Sequence, residues 1–193
     1  MADMWSNEFV CKRELARLLM EKSYREGDFT LSSGRKSDYY FDCRVTALSA
    51  KGAYLIGDMF NHLLKDEDIK GVAGMSLGAD PLVTSVSIMS RARQRGVLDA
   101  LYVRKEPKDH GMGRQVEGVE NFRDGDKIAV LDDVATSGGS ILKVCSILEK
   151  LNFRIVKCCV ILDREEGARA AIESAGYPFV SIFTRKNLLE FGR

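Results

Sequence analysis

The sequence has no excess of charge of either sign: 29 lysines and arginines stand against 28 aspartates and glutamates, a formal net charge of +1 over 193 residues. A general nucleic-acid surface needs a strong basic excess, so no nucleic-acid partner is expected. The cysteine patterns of a disulfide framework or a zinc site are also missing. The five cysteines (Cys11, Cys43, Cys145, Cys158 and Cys159) are odd in number and contain no Cys-x-x-Cys pair. Reduced thiols in a cytosolic protein are the simple reading, with Cys158 and Cys159 as small core residues in an apolar run. No basic stretch followed by an apolar run opens the chain, and no apolar run approaches the length needed to span a bilayer. No secretory signal and no membrane partner are expected, and the expected location is cytoplasmic. Internal repeats, low-complexity tracts and linkers are absent as well, which predicts one domain over residues 1–193.

What remains is the composition of a globular protein, 45% apolar and 30% charged. Ser6 or Asn7 can cap a first helix running to about Arg25, with Phe9, Leu15, Leu18 and Leu19 as its apolar stripe and Gly27 as its stop. Two extended pieces follow, Phe29 to Leu31 and Asp38 to Asp42, joined by the polar tip Ser32 to Ser37. A second helix covers Ala50 to about Lys65, with Leu55, Met59, Leu63 and Leu64 inward. Residues 1–66 thus read as N-terminal helices and a hairpin.

From Gly71 the pattern alternates. Strands are predicted over Gly71 to Met75, Ala100 to Val103, Lys127 to Leu131, Ile155 to Leu162 and Phe179 to Phe183. Helices are predicted over Pro81 to Arg95, Gly139 to Leu151 and Glu165 to Ala175, with a short helix at the end. Such alternation predicts an α/β fold: a parallel, Rossmann-like core sheet over residues 70–185, covered by helices on both faces. Ligands of such sheets sit beyond the carboxyl ends of the strands. The places to search are after Met75, Val103, Leu131 and Leu162.

The strongest signal is the run Ile128-Ala129-Val130-Leu131-Asp132-Asp133-Val134-Ala135-Thr136-Ser137-Gly138-Gly139-Ser140. It reads as a buried strand, two carboxylates, a turn of small residues and a helix start. Backbone N–H groups at a helix N-terminus attract an anion. Thr136, Ser137 and Ser140 add hydroxyl donors, and Gly138 and Gly139 allow close approach. The Gly-Lys-Ser/Thr ending of a nucleotide P-loop is missing, and no dinucleotide fingerprint follows a strand. Asp132 and Asp133 would repel a phosphate unless they faced something else, and ribose hydroxyls suit them. The run therefore fits a five-carbon sugar phosphate, against the plainer reading of an acidic turn with a helix cap.

A second polar stretch, residues 104–118, is too long for an ordinary connection. Arg104, Lys105, Lys108, His110 and Arg114 suit a polyanionic group, and Gly111, Gly113 and Gly118 suit a loop that opens and closes. The plainer reading is a solvated surface loop.

The run Asp132-Asp133-Val134-Ala135-Thr136-Ser137-Gly138 resembles the signature of the type I phosphoribosyltransferases: a hydrophobic strand, two acids, two variable residues, then Thr-x-Gly. Arg104-Lys105-Glu106-Pro107-Lys108-Asp109-His110-Gly111, followed by Glu117-Gly118, narrows the resemblance to the orotate phosphoribosyltransferases. The resemblance runs from about Phe9 to Phe183. It implies transfer of ribose 5-phosphate from 5-phospho-α-D-ribose 1-diphosphate (PRPP) to orotate, with Mg²⁺ carried by PRPP and no resident metal. It implies that Arg104, Lys105, Lys108 and His110 contact the pyrophosphate. Val134 to Ser140 would then hold the 5′-phosphate, and Asp132 and Asp133 the ribose. The hairpin Phe29 to Phe41 would cover the base, with Tyr40 and Phe41 at the positions of the family's aromatic pair. Strand alternation sends those two side chains to opposite faces, one to stack and one to the core. Arg164, in Leu162-Asp163-Arg164-Glu165-Glu166-Gly167, matches the arginine that pairs with the orotate carboxylate, and Thr136 would touch both loop and base. The family also implies a homodimer with shared sites. Ser32 and Gly78 stand where many relatives carry lysine. Two other readings stay open: a phosphoribosyltransferase for another base, such as a purine, and a non-catalytic PRPP sensor.

Overall fold

The computed structural model describes residues 8–30, 36–93, 96–107 and 114–192. The first unit is α1 (Glu8–Lys22), the antiparallel hairpin of β1 (Tyr24–Thr30) and β2 (Lys36–Phe41), then α2 (Cys43–Ala47) and α3 (Ala50–Leu63). The second alternates: β3 (Gly71–Met75), α4 (Asp80–Ala92), β4 (Asp99–Val103), β5 (Val116–Glu117), β6 (Lys127–Ala135), α5 (Gly139–Glu149), β7 (Arg154–Asp163), α6 (Ala168–Ser174), β8 (Phe179–Thr184) and α7 (Arg185–Phe191). The large sheet has the order β5-β4-β3-β6-β7-β8. All its pairings are parallel except that of β5, which runs antiparallel to β4. The expected α/β sheet is present, with this one antiparallel edge added.

The strands read as unbroken apolar runs because both faces are covered. On β6, Ala129 and Leu131 pack with Val72 of β3, Cys159 of β7 and Leu82, Val83 and Val86 of α4. Ile128 and Val130 point the other way, with Ala73, Cys158 and Ile141, Val144 and Cys145 of α5. The period of two thus assigns Cys158 and Cys159 to opposite cores, and both are fully buried as expected.

Several boundaries move. The first helix stops at Lys22, not near Arg25, because Tyr24 and Arg25 are already paired with Phe41 and Tyr40 in the hairpin. Gly27 does not stop the helix; it lies inside β1, at a register shift between Glu26 and Phe29. Ser6 and Asn7, the expected caps, lie outside the described residues. Leu15, Leu18 and Leu19 are buried, but Phe9 is exposed and its ring lies beside that of Phe191, with centroids 6.1 Å apart. The short helix α2 is an addition, capped by Asp42, whose Oδ1 accepts from the Arg44 N–H at 3.1 Å. The helix expected from Glu165 begins at Ala168, since Glu165 and Gly167 both have positive φ.

The helical unit is clamped to the sheet through α3 and α4. Buried Asp58 of α3 accepts from Arg93 Nε at 2.8 Å, and Arg93 Nη2 donates to the Tyr54 hydroxyl at 2.6 Å. The two helices touch at Gly57, where a Cβ would lie 2.7 Å from the Ser85 carbonyl oxygen and 2.8 Å from Met89 Cγ. One added methyl must therefore push backbone apart. Gly57→Ala is expected to lower the unfolding free energy by about 2 kcal/mol, within the ordinary cost of over-packing, as measured by urea denaturation.

Candidate active site

The sheet reverses direction of growth between β3 and β6. From β3 the chain moves outward to β4, then returns to place β6 on the other side of β3. A crevice opens at the carboxyl ends of strands where such a reversal occurs. Here a cleft of about 640 Å³ is bordered by Met75 to Gly78 after β3, by Asp132, Asp133 and Val134 of β6, by Ser140 of α5, by Lys105, and by Tyr40, Phe41, Asp42 and Arg44.

The two acids stand at its centre. β6 runs on to Ala135, so they belong to the strand and not to the turn after it. Asp132 is 7% exposed. Its Oδ2 accepts from the Ser140 hydroxyl at 2.6 Å, and its Oδ1 from the Asp133 N–H at 3.0 Å. Asp133 Oδ1 accepts from the Val134 N–H at 2.8 Å. Ser140, expected as a phosphate donor, has turned its hydroxyl to Asp132. Burial first, then the charge of Asp133, pushes the Asp132 carboxyl up to about 7, and burial raises Asp133 as well. A Cβ at Gly78 would stand in ordinary van der Waals contact with Asp133 Oδ1 at 3.7 Å and Asp132 Oδ1 at 4.0 Å, so this position lies directly beside both carboxylates.

After Ala135 comes the expected turn. Gly138, at φ +84°, is the N-cap of α5, and no side chain caps that helix. A Cβ there would press on Ile172 Cγ1 at 3.1 Å and on the Ala168 carbonyl oxygen at 3.3 Å. Thr136 is half-buried, Ser137 and Gly139 are exposed, and Gly138 between them is buried.

The long loop leaves β4 and returns on β5. Val103 pairs with Val116, and the Arg104 N–H donates to the Gln115 carbonyl at 2.8 Å. Arg104 is held at this root by Glu117, 3.0 Å from both its Nε and its Nη2. Lys105 lines the cleft, and its carbonyl accepts from Lys143 Nζ of α5 at 2.9 Å. Lys108 and His110 lie outside the described residues.

On the base side, Tyr40 is 41% exposed and Phe41 is 8% exposed, the split that alternation predicts. Arg164 is 8% exposed. Ala135 is level with Asp163, so Thr136 and Arg164 leave the sheet side by side, and the Arg164 N–H donates to the Ala135 carbonyl at 3.0 Å. Its Nε donates to Glu166 Oε1 at 2.7 Å and its Nη2 to the Ser37 hydroxyl at 3.2 Å. The ion pair with Glu166 is buried on the arginine side. Sequence reasoning missed Arg44, which lines the cleft with its Nε and Nη2 each 2.8 Å from an oxygen of Asp42. The only local signal was the Asp-Cys-Arg step just past the hairpin, where the sequence pattern shows no element.

Residues 82–182 match the phosphoribosyl transferase domain family. The chain is 44% identical over 177 residues to the orotate phosphoribosyltransferase of Thermosynechococcus vestitus, covering 92% of each, and 42% identical to that of Sorangium cellulosum, covering 92% of this chain and 93% of the other. This chain belongs to the orotate phosphoribosyltransferase family. The solved orotate phosphoribosyltransferase of Mycobacterium tuberculosis in complex with PRPP superposes with a TM-score of 0.76 at 31% identity, over 92% of this chain and 98% of that one. The α/β fold expected from the sequence is therefore the fold of the family's members.

Raised carboxyl groups carry a stability consequence. The folded chain holds protons that the unfolded chain has released between about pH 4 and about 7, so their contribution to stability is present at the low end and lost as pH rises through that window. Thermal melts of the ligand-free protein are expected to show the parent losing roughly 4 °C or more relative to Asp132→Asn between pH 5 and 8. Parallel pH curves for the two would contradict the raised pKa.

Proposed function

We propose that this chain transfers the phosphoribosyl group of PRPP to N1 of orotate, giving orotidine 5′-monophosphate and pyrophosphate on the route to UMP. One observation carries the reading: two adjacent carboxylates, one buried and one half-buried and neither ion-paired to a cation among the described residues, stand at the mouth of the sheet, and an uncapped helix start follows after a short turn. The helix start suits the 5′-phosphate through the backbone of Thr136 to Ser140. The acids suit the ribose hydroxyls and the positive character that develops at C1 as its bond to the pyrophosphate breaks.

Among the described residues no cluster of three or more metal-binding side chains occurs. Two carboxylates do not enclose a cation, but they fit one that arrives already holding phosphate oxygens and water, as Mg²⁺ prefers. In this reading Mg²⁺ arrives with the substrate, where it would offset pyrophosphate charge. Lys105, Lys108 and His110 stabilise the leaving group, and His110 can supply a proton near neutral pH. Closure of residues 104–118 excludes water from the activated sugar. Tyr40 covers the ring and Arg164, beside Thr136, receives the orotate carboxylate. A purine base would have no use for Arg164, and six curated relatives at 35–44% identity bear the orotate name.

The reading extends to a homodimer. A groove beside the cleft is lined by Ala47, Leu48, Leu77, Pro81 and Ile88, of which Leu48, Leu77 and Ile88 are 76%, 77% and 62% exposed. So much apolar surface next to Gly78 suits a second copy that adjoins the site. No helix among the described residues is long and apolar enough to cross a membrane.

Loss of orotate absorbance with PRPP and Mg²⁺ tests the reaction. Lys108→Ala and His110→Ala are expected to slow it by about 100-fold or more, and Lys36→Ala by far less. Arg164→Ala should raise the orotate KM; an unchanged value removes the base assignment. Sedimentation should show a dimer that Leu48→Glu together with Ile88→Glu converts to monomer.

A further inference from the structure

The register of the sheet brings a second arginine to the base side. Asp163 of β7 is level with Thr184 of β8, so the residues that follow them, Arg164 and Arg185, leave the sheet as neighbours. A capping box fixes the departure of Arg185: the Thr184 N–H donates to Asn187 Oδ1 at 2.8 Å and the Asn187 N–H to Thr184 Oγ1 at 3.3 Å. Both guanidinium groups then meet the ring of Tyr39. The Arg164 carbon lies 4.4 Å from its centroid and the Arg185 carbon 4.2 Å, while Tyr24 stacks at 5.6 Å with an interplanar angle of 25°.

Three consecutive hairpin residues hold this pair. Ser37 takes Arg164 Nη2, Asp38 takes Arg185 Nη2 on both oxygens at 2.9 and 2.7 Å, and Tyr39 faces both cations. Two like charges sharing one ring repel, so each is offset by its own carboxylate, Glu166 for Arg164 and Asp38 for Arg185. Tyr39 is 2% exposed, and its hydroxyl is buried with no hydrogen-bond partner among the described residues. A buried unpaired hydroxyl costs stability, so the ring and not the hydroxyl is what this position uses. Arginine has a long stem with many rotamers, and a planar ring with fixed neighbours narrows them.

We propose that Arg185 and Tyr39 are positioning residues that aim Arg164, and so set the affinity for the carboxylate of the base without touching it. The proposal rests on the reading that Arg164 receives that carboxylate.

Steady-state kinetics with each substrate varied in turn tests it. Arg185→Ala is expected to raise the orotate KM about tenfold, with kcat and the PRPP KM within about twofold of the parent. Asp38→Asn, at an exposed position, should release Arg185 without disturbing the core and raise the orotate KM about threefold. Tyr39→Leu should behave as Arg185→Ala does, and Tyr39→Phe should restore the orotate KM to within about twofold. The proposal is overturned if Arg185→Ala and Asp38→Asn leave the orotate KM unchanged. It is also overturned if the PRPP KM and the melting temperature move as far as the orotate KM, or if Tyr39→Phe is as damaging as Tyr39→Leu. Should Arg185→Ala fail to fold, Asp38→Asn decides alone. Arg164→Ala is measured beside them: an unchanged orotate KM there sinks the base reading itself, whereas a raised one with Arg185→Ala and Asp38→Asn silent sinks only this inference.

Discussion

Two adjacent carboxylates, one buried and one half-buried at the open end of a central strand, are the constraint around which this molecule is arranged. Water would offset their charge, but Asp132 is almost wholly removed from it. The donors supplied instead are neutral, a serine hydroxyl and two backbone N–H groups. Neutral donors soften the repulsion without cancelling it, so the pair keeps a demand for positive charge from outside. Gly78 lies against both carboxylates and brings no side chain to them, which leaves that demand open on the side facing the cleft. A site built this way is poised for a ligand that brings its own cation and a set of hydroxyls, and it is uncomfortable without one. Strain of this kind belongs to function; a chain selected for stability alone would place apolar residues there.

Much of the fold was legible because the strands are buried on both faces. Gly71 to Met75 agrees with the sequence pattern residue for residue, and the other strands differ by a few positions at their ends. The N-terminal region was harder for a physical reason. Its strands carry burial on one face only and polar residues such as Arg25, Glu26 and Asp28, so apolar periodicity gives little to follow. Gly27 looked like a helix stop and serves in a β-irregularity, since either context accepts its backbone. β5 was invisible because two residues have no period.

The site divides along the same line. The run from Asp132 to Ser140 is local: strand, acids, turn and helix follow one another in the chain, and the sequence displays them in order. Residues that meet across long separations were not legible. Ser37 and Arg164 are 127 positions apart, and Asp38 and Arg185 are 147 apart. Their meeting depends on the register between β7 and β8 and on the angle of the hairpin, neither of which a single sequence encodes in a readable pattern. Tyr40 and Phe41 drew attention as a pair, while Tyr39, with the larger set of charged neighbours, looked like one more aromatic in a strand.

The short ladder between β4 and β5 has an effect beyond framing the cleft. β4 would otherwise end the sheet with a row of unsatisfied backbone groups, an invitation to pairing with another molecule. Val116 and Glu117 occupy that row, and Arg104 with Glu117 ties the two stems together beneath the excursion. The stems are thus part of the sheet's protective border, distinct in role from the residues that join them. Their number can change over the generations while the border stays intact, but a deletion reaching the stems would strip the margin of the sheet and expose the protein to self-association.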